Sequence, residues 1–239
     1  MRATLEAPER ESLERTIETL AAAVADLPRS EFHPELACLV AWSAAVLEHF
    51  PVGLLRKVAE VMSINCALED VGRRQLHQFL LSCRLEPRLE GIVRTEPSLE
   101  ALLTEEAQFC LECFTRQSRD ATESKMQQAV SQALRQRLPA GSQVVDEFVD
   151  AATGYSIDCY IPNAPLPEGT AAPAGDKGLA VEVDGPHHFL RNSRRLQGRT
   201  IIKHMHLRRA GACHSLARLY ALLPACASAR LVTRDPSAS

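Results

Sequence analysis

Three carboxylates stand at positions suited to phosphate chemistry. Asp158 lies in "YSIDCYI", and Glu182 and Asp184 lie in "LAVEVD". Both stretches are short, apolar and rich in β-branched or aromatic residues, as strands are. Side chains alternate along a strand, so Glu182 and Asp184, two apart, share a face. A neighbouring strand carrying Asp158 would bring three carboxylates together. Mg²⁺ takes such oxygen donors; bound there, it positions a water and stabilises charge on a phosphate. His187 or His188 is a candidate general acid or base beside them. The competing reading needs no metal. Asp184-Gly185-Pro186 then forms a turn with Asp184 capping backbone amides, and the two histidines are structural or touch phosphate.

The segment that follows has the opposite charge. Between Gly185 and Arg234 there are ten Lys or Arg and no Asp or Glu, which leaves 17 basic against 30 acidic residues elsewhere in a chain of net charge -3. Five of the eight histidines also fall in this window. A basic window on an acidic chain is a polyanion footprint. Arg191, Arg194, Arg195 and Arg199 recur at spacings of three or four and would share a helical face. Such a face meets phosphates, with salt-sensitive and largely sequence-independent affinity. Aromatics make up only 5% of the chain, which argues against an extensive base-stacking platform. Reading of shape and backbone fits better than a base code.

The remaining composition is that of a globular protein, 46% hydrophobic and 24% charged. No apolar run approaches the length of a membrane span, so no membrane partner is expected. The first 25 residues show no secretory signal, and their glutamates argue against an intact transit peptide. The eight cysteines sit mostly in apolar helical stretches and point to a reducing compartment. Cys110 and Cys113 form a CxxC, but no second pair stands at zinc spacing, and two helix-face cysteines are expected.

The elements that would hold these residues fall into two parts. Apolar spacing predicts helices over 9–27, 34–50, 52–65, 67–86 and 97–117, in antiparallel pairs broken by prolines. A sixth helix over 122–138 is expected to be capped by Thr122. Strands are then expected over 143–149, 155–161 and 179–184, with Gly154 turning the chain between the first two. The stretch 162–178 reads as an exposed loop. A helix running within 192–210, starting or interrupted near Gly198, follows. Then come a short strand at 212–215, a helix "LARLYALL" and a last strand "ARLVT". A helical region over 1–120 thus leads into an α/β region over 121–235, an α+β protein.

Helix, strand, strand with Asp, strand with Glu-x-acid, and helix resembles the restriction-endonuclease-like fold. That fold's nucleases carry Lys two residues after the Glu. Asp184 stands there instead, and Lys203 on the next helix is the candidate to reach in. More specifically, "LAVEVDGPHHFLRNSRRLQGRTIIKHMHLRRAG" resembles the RAP domain. The match is carried by Glu182, Asp184, Gly185, Pro186, His188, Phe189, Asn192, Gly198, Thr200, Lys203, Leu207 and Gly211, with Asp158 upstream. Helical segments between 36 and 86 are similar to the repeats of octotricopeptide-repeat and Fas-activated serine/threonine kinase family proteins. After Gly211 the family has an aromatic-rich strand with a Trp; this chain offers only Tyr220.

The resemblance implies a restriction-endonuclease-like core and RNA binding in an organelle, the mitochondrion or alternatively the chloroplast. It implies work in transcript processing, stability, or ribosome assembly or structure. The expectation is an RNA-binding protein without catalysis. Its contacts would be His187, His188, Arg191, Asn192, Arg194, Arg195, Arg199, Lys203 and Arg208. Structured or ribosomal RNA is the expected partner, and the helical half would meet ribosomal or other organellar proteins. No cofactor is expected. The alternative is a metal-dependent endoribonuclease using Asp158, Glu182 and Asp184 with Mg²⁺.

Overall fold

The computed structural model describes residues 7–62, 68–119, 124–162, 164, 178–191, 193, 195–210 and 215–220. The chain divides into two compact units, Met1–Phe114 and Thr115–Ser239. The first is helical: α1 (Ala7–Asp26), α2 (Pro34–Leu47), α3 (Val52–Met62), α4 (Asp70–Leu85), α5 (Glu90–Thr95), α6 (Pro97–Glu105) and most of α7 (Ala107–Arg119). Pro34 and Pro97 open their helices, where a missing N–H costs nothing. Four buried alanines of α2 (Ala37, Ala41, Ala44, Ala45) let it lie close along α4. There Leu76, Phe79 and Leu80 fill the core and Trp42 Nε1 donates to Gln78 Oε1 at 2.6 Å. At Gly72 of α4 a Cβ would press on the Glu35 carboxylate, the movable end of a side chain on α2.

Two details differ from the sequence expectation. The helix expected over 97–117 is two helices, α6 and α7, parted at Glu106. Leu99 and Leu102 are buried from the first segment and Cys110 and Cys113 from the second. Helix α5, too short to show a period, was not expected.

In the second unit α8 (Lys125–Arg137) begins with a capping box. Ser124 Oγ accepts from Gln127 N–H, and the Gln127 side chain accepts from Ser124 N–H. Thr122, the expected cap, lies outside the described residues. Strands β1 (Val145–Val149), β2 (Ser156–Ile161) and β3 (Leu179–Asp184) form an antiparallel meander. Gly154, at φ 75°, turns β1 into β2. Helix α9 (Gly198–Arg209) then leads to β4 (Ser215–Tyr220), which pairs parallel to β3 in a sheet ordered β1-β2-β3-β4. Val130 and Leu134 of α8 and Leu138 just after it pack on Cys159, Ile161 and Val181. From α9, Ile202, His206 and Leu207 are buried, and Tyr155 Oη lies 3.0 Å from His206 Nδ1. Among the described residues no helix is long and apolar enough to cross a membrane.

Residues 215–220 correct the helix expected for "LARLYALL". A short apolar run carries no decisive period. Here it gives the second edge of buried β3 a hydrogen-bonding partner, which a helix would not. The strand "ARLVT" and most of 212–215 lie outside the described residues. Helix α9 starts at Gly198, one of the two expected alternatives, and the second correction concerns the helical face expected for the arginines before it. After a 3₁₀ turn at Pro186–His188, Phe189 and Leu196 form an antiparallel bridge. Leu190 N–H donates to Arg195 O at 2.8 Å, and Gln197 N–H to His188 O at 2.8 Å. These bonds use backbone groups that a helix would need, so Arg191 and Arg195 sit on a small hairpin, and among the described arginines of that set only Arg199 is helical.

Phe79→Ala, at a side chain only 1% exposed, is expected to cost about 3–5 kcal/mol in urea unfolding. Leu39→Ala, at 45% exposure, should stay within about 0.5 kcal/mol of wild type.

Candidate functional site

The sheet register builds a row of carboxylates. Between the pairs Asp146↔Cys159 and Phe148↔Ile157, Glu147 falls opposite Asp158. The β2–β3 ladder runs to Cys159↔Val181, and one further step sets Asp158 against Glu182. At that step Asp158 Oδ2 accepts the N–H of Val183 at 2.7 Å, a side chain standing in for a backbone acceptor. Three adjacent strands therefore present Glu147, Asp158 and Glu182 in line. Glu147 adopts φ 48°, a left-handed conformation costly for a residue with a Cβ.

Two cross-links tie the row to the helices. Gln127 Nε2 donates to Asp158 Oδ1 at 2.8 Å and to Glu147 Oε1 at 3.2 Å. The residue that completes the α8 cap thus also bridges two carboxylates, at the helix end whose dipole favours negative charge. From the other helix, Lys203 Nζ donates to Glu182 Oε2 at 2.6 Å. Glu182 is 1% exposed and Lys203 19% exposed at their side chains. Ser156 Oγ donates to Glu147 Oε2 at 2.6 Å.

Burial pushes the Glu182 carboxyl up from its ordinary 4.5 to about 7. Lys203 pulls it back down, while repulsion from Asp158 and Asp184 adds to the rise. Burial also works to lower the Lys203 ammonium, but attraction from Glu182, Asp158 and Glu147 holds it above its usual range. The ammonium therefore keeps its charge at neutral pH.

Asp184 belongs to a second group. It is fully buried, with Oδ1 3.1 Å from His188 Nδ1 and 3.8 Å from His204 Nε2. His188 Nδ1 also lies 3.3 Å from Thr200 Oγ1. This joins the 3₁₀ turn after β3 to α9. The nuclease-like alternative implies Mg²⁺, and the donors do not fit it. In the row, Glu147 Oε1 and Oε2, Asp158 Oδ1 and Oδ2, and Glu182 Oε2 all accept protein hydrogen bonds. That leaves Glu182 Oε1, which is buried without a hydrogen-bond partner. Among the described residues, no group of three or more His, Cys, Asp or Glu is placed to hold a metal ion. In the CxxC, Cys110 and Cys113 are both buried, and burial pushes the Cys110 thiol up to about 12.

Of the residues expected to meet RNA, His187, Arg191, Arg195, Arg199 and Arg208 are exposed, and His188 is half-buried. Arg199 donates to His187 O at 3.0 Å. Lys203 is committed to Glu182. Asn192 and Arg194 lie outside the described residues. Sequence reasoning missed Glu147, Gln127 and His204. The acidic pair Asp146-Glu147 was a visible signal, but only the register shows which acid joins the row. Asp146 is taken by Arg135 instead, at 2.5 Å.

Lys203→Met would leave Glu182 buried without its cation and is expected to cost about 3–5 kcal/mol in chemical unfolding. The pH dependence has a definite sign. Glu182 binds its proton more tightly when folded, so its contribution to stability is complete below about 4.5 and is lost as pH rises through about 7. Glu182→Gln, which imitates the protonated form, should flatten the decline of Tm across that window in a thermal scan.

No curated protein and no solved structure matches the chain. One family model, described as the RAP domain, matches residues 181–211. That span contains the end of the carboxylate row on β3, the arginine-bearing hairpin, and α9 with Lys203. The helices ahead of it are consistent with the helical repeats that the sequence resembles. The chain carries a RAP domain.

Proposed function

We propose that this protein binds structured RNA through the cationic surface following β3, acts as a binding component in transcript processing or ribosome assembly, and does so in the mitochondrion. The RAP domain supports RNA binding as such. The observation that carries the proposal is a coincidence of three features in one segment. The family match, the acid-free window and the exposed Arg191, Arg195, Arg199 and Arg208 occupy the same residues. Arginine forks on a hairpin and a helix start suit phosphates held at fixed separations, as in a folded RNA. The organellar setting, with the chloroplast as its alternative, draws on the family resemblance alone. The helical unit adds a protein-facing surface in this reading: Leu36 and Leu39 of α2 are 43% and 45% exposed.

The donor engagement in the carboxylate row favours binding over the alternative reading, metal-dependent RNA cleavage. The test is anisotropy of a fluorescent stem-loop RNA over a KCl series. Replacing Arg191, Arg195 and Arg199 together by Glu is expected to weaken binding by at least about tenfold and to flatten the salt dependence by about two to three phosphate contacts. Unchanged affinity at low salt would end the proposal. Mg²⁺-dependent, EDTA-sensitive cleavage of the same RNA, lost in Glu182→Ala, would instead establish the nuclease.

A further inference from the structure

We propose, building on the RNA-binding reading above, that His188 Nε2 accepts a hydrogen bond from a ribose 2′-hydroxyl, so that the turn after β3 distinguishes RNA from DNA. One edge of the His188 ring is fixed from inside the fold. Its Nδ1 lies 3.1 Å from Oδ1 of Asp184, which is fully buried, and 3.3 Å from Thr200 Oγ1. A carboxylate oxygen takes a hydrogen, so Nδ1 carries the proton of the neutral ring and donates it inward. Nε2 is then a bare acceptor. The side chain is 36% exposed, and Nε2 has no partner among the described residues. The backbone beneath the ring is held as well. His188 N–H donates to Gly185 O at 2.9 Å, and His188 O accepts from Gln197 N–H at 2.8 Å.

The residues on either side define what such an acceptor would meet. Arg191, Arg195 and Arg199 are exposed, and Arg199 donates to His187 O at 3.0 Å, one residue from the ring. Guanidinium groups only donate, so they suit phosphate oxygens, which only accept. A bare imidazole nitrogen has no hydrogen to offer a phosphate and needs a donor instead. The backbone donor that RNA has and DNA lacks is the 2′-hydroxyl. In an A-form stem the wide, shallow minor groove displays these hydroxyls, within reach of a side chain on a surface turn. The arginines therefore supply affinity without reading the sugar, and His188 reads it. Asp184 is the positioning residue, because its oxygen decides which ring nitrogen is bare.

The test compares one stem-loop RNA with its 2′-fluoro counterpart, which keeps the A-form helix but has no sugar O–H. Anisotropy is read with the full chain at pH 8, where an ordinary imidazole is neutral. Wild type should bind the RNA at least about threefold more tightly, the size of one net hydrogen bond, and the ratio should persist as KCl weakens both. His188→Asn keeps an amide N–H for Asp184 but lacks Nε2, and its two affinities should become equal. If that variant does not fold, nitrogen-15 spectra of histidine-labelled wild type are the readout. His188 should show a protonated Nδ1 and a bare Nε2, and the Nε2 signal should move with the RNA but not with its 2′-fluoro form. Salt-sensitive binding of equal strength to both ligands overturns this proposal and leaves RNA binding standing, whereas binding to neither overturns both. A preference kept in His188→Asn, a free-protein ring protonated at Nε2, or an Nε2 signal unmoved by RNA also overturns it.

Discussion

A carboxylate cannot be taken out of water without a charge or a proton to replace what water gave it. Glu182, 1% exposed in the middle of a sheet, imposes that condition on the RAP-matched unit. The pair with Lys203 meets it, and the other interactions follow from where the pair must form. Lys203 reaches Glu182 only if α9 lies against the sheet at that level. Tyr155 with His206, and Asp184 with His188 and His204, fix the same helix at two further places. With α9 held, the chain after it runs beside β3 as the parallel strand β4.

The opposite helix is bound to the same row by different chemistry. Gln127 is neutral, yet its one side chain closes the α8 cap and bridges Asp158 with Glu147. The left-handed backbone at Glu147 is tolerated because both of its carboxylate oxygens are held, by Gln127 and by Ser156. Negative charge is thus concentrated inside, between two helices, while the exposed arginines carry the outer surface. That division separates a structural charge network from a surface able to meet a polyanion.

Much of this order was legible in the sequence. The three strands, Gly154 as their turn, and the shared face of Glu182 and Asp184 follow from alternation and turn chemistry. Lys203 was marked as a side chain that would reach the acids, and it does. What was hidden depended on register or on competing backbone bonds. Asp146 and Glu147 are equivalent in sequence, and only pairing with β2 turns one toward Arg135 and the other into the row. The arginines at 191, 195 and 199 have helical spacing, but the hairpin through Phe189 and Leu196 takes the backbone first. The expected trio of Asp158, Glu182 and Asp184 is divided, because His188 and His204 draw Asp184 into a separate group.

The most direct measurement is a double-mutant cycle on the buried pair, with Lys203→Met, Glu182→Leu and their combination compared by chemical unfolding of the full chain. The account predicts that each single change is costly while the double variant is more stable than the sum allows, with a coupling of at least about 1.5 kcal/mol. Additivity within about 0.5 kcal/mol would contradict it, showing that the two residues do not depend on each other and that something else holds α9 to the sheet.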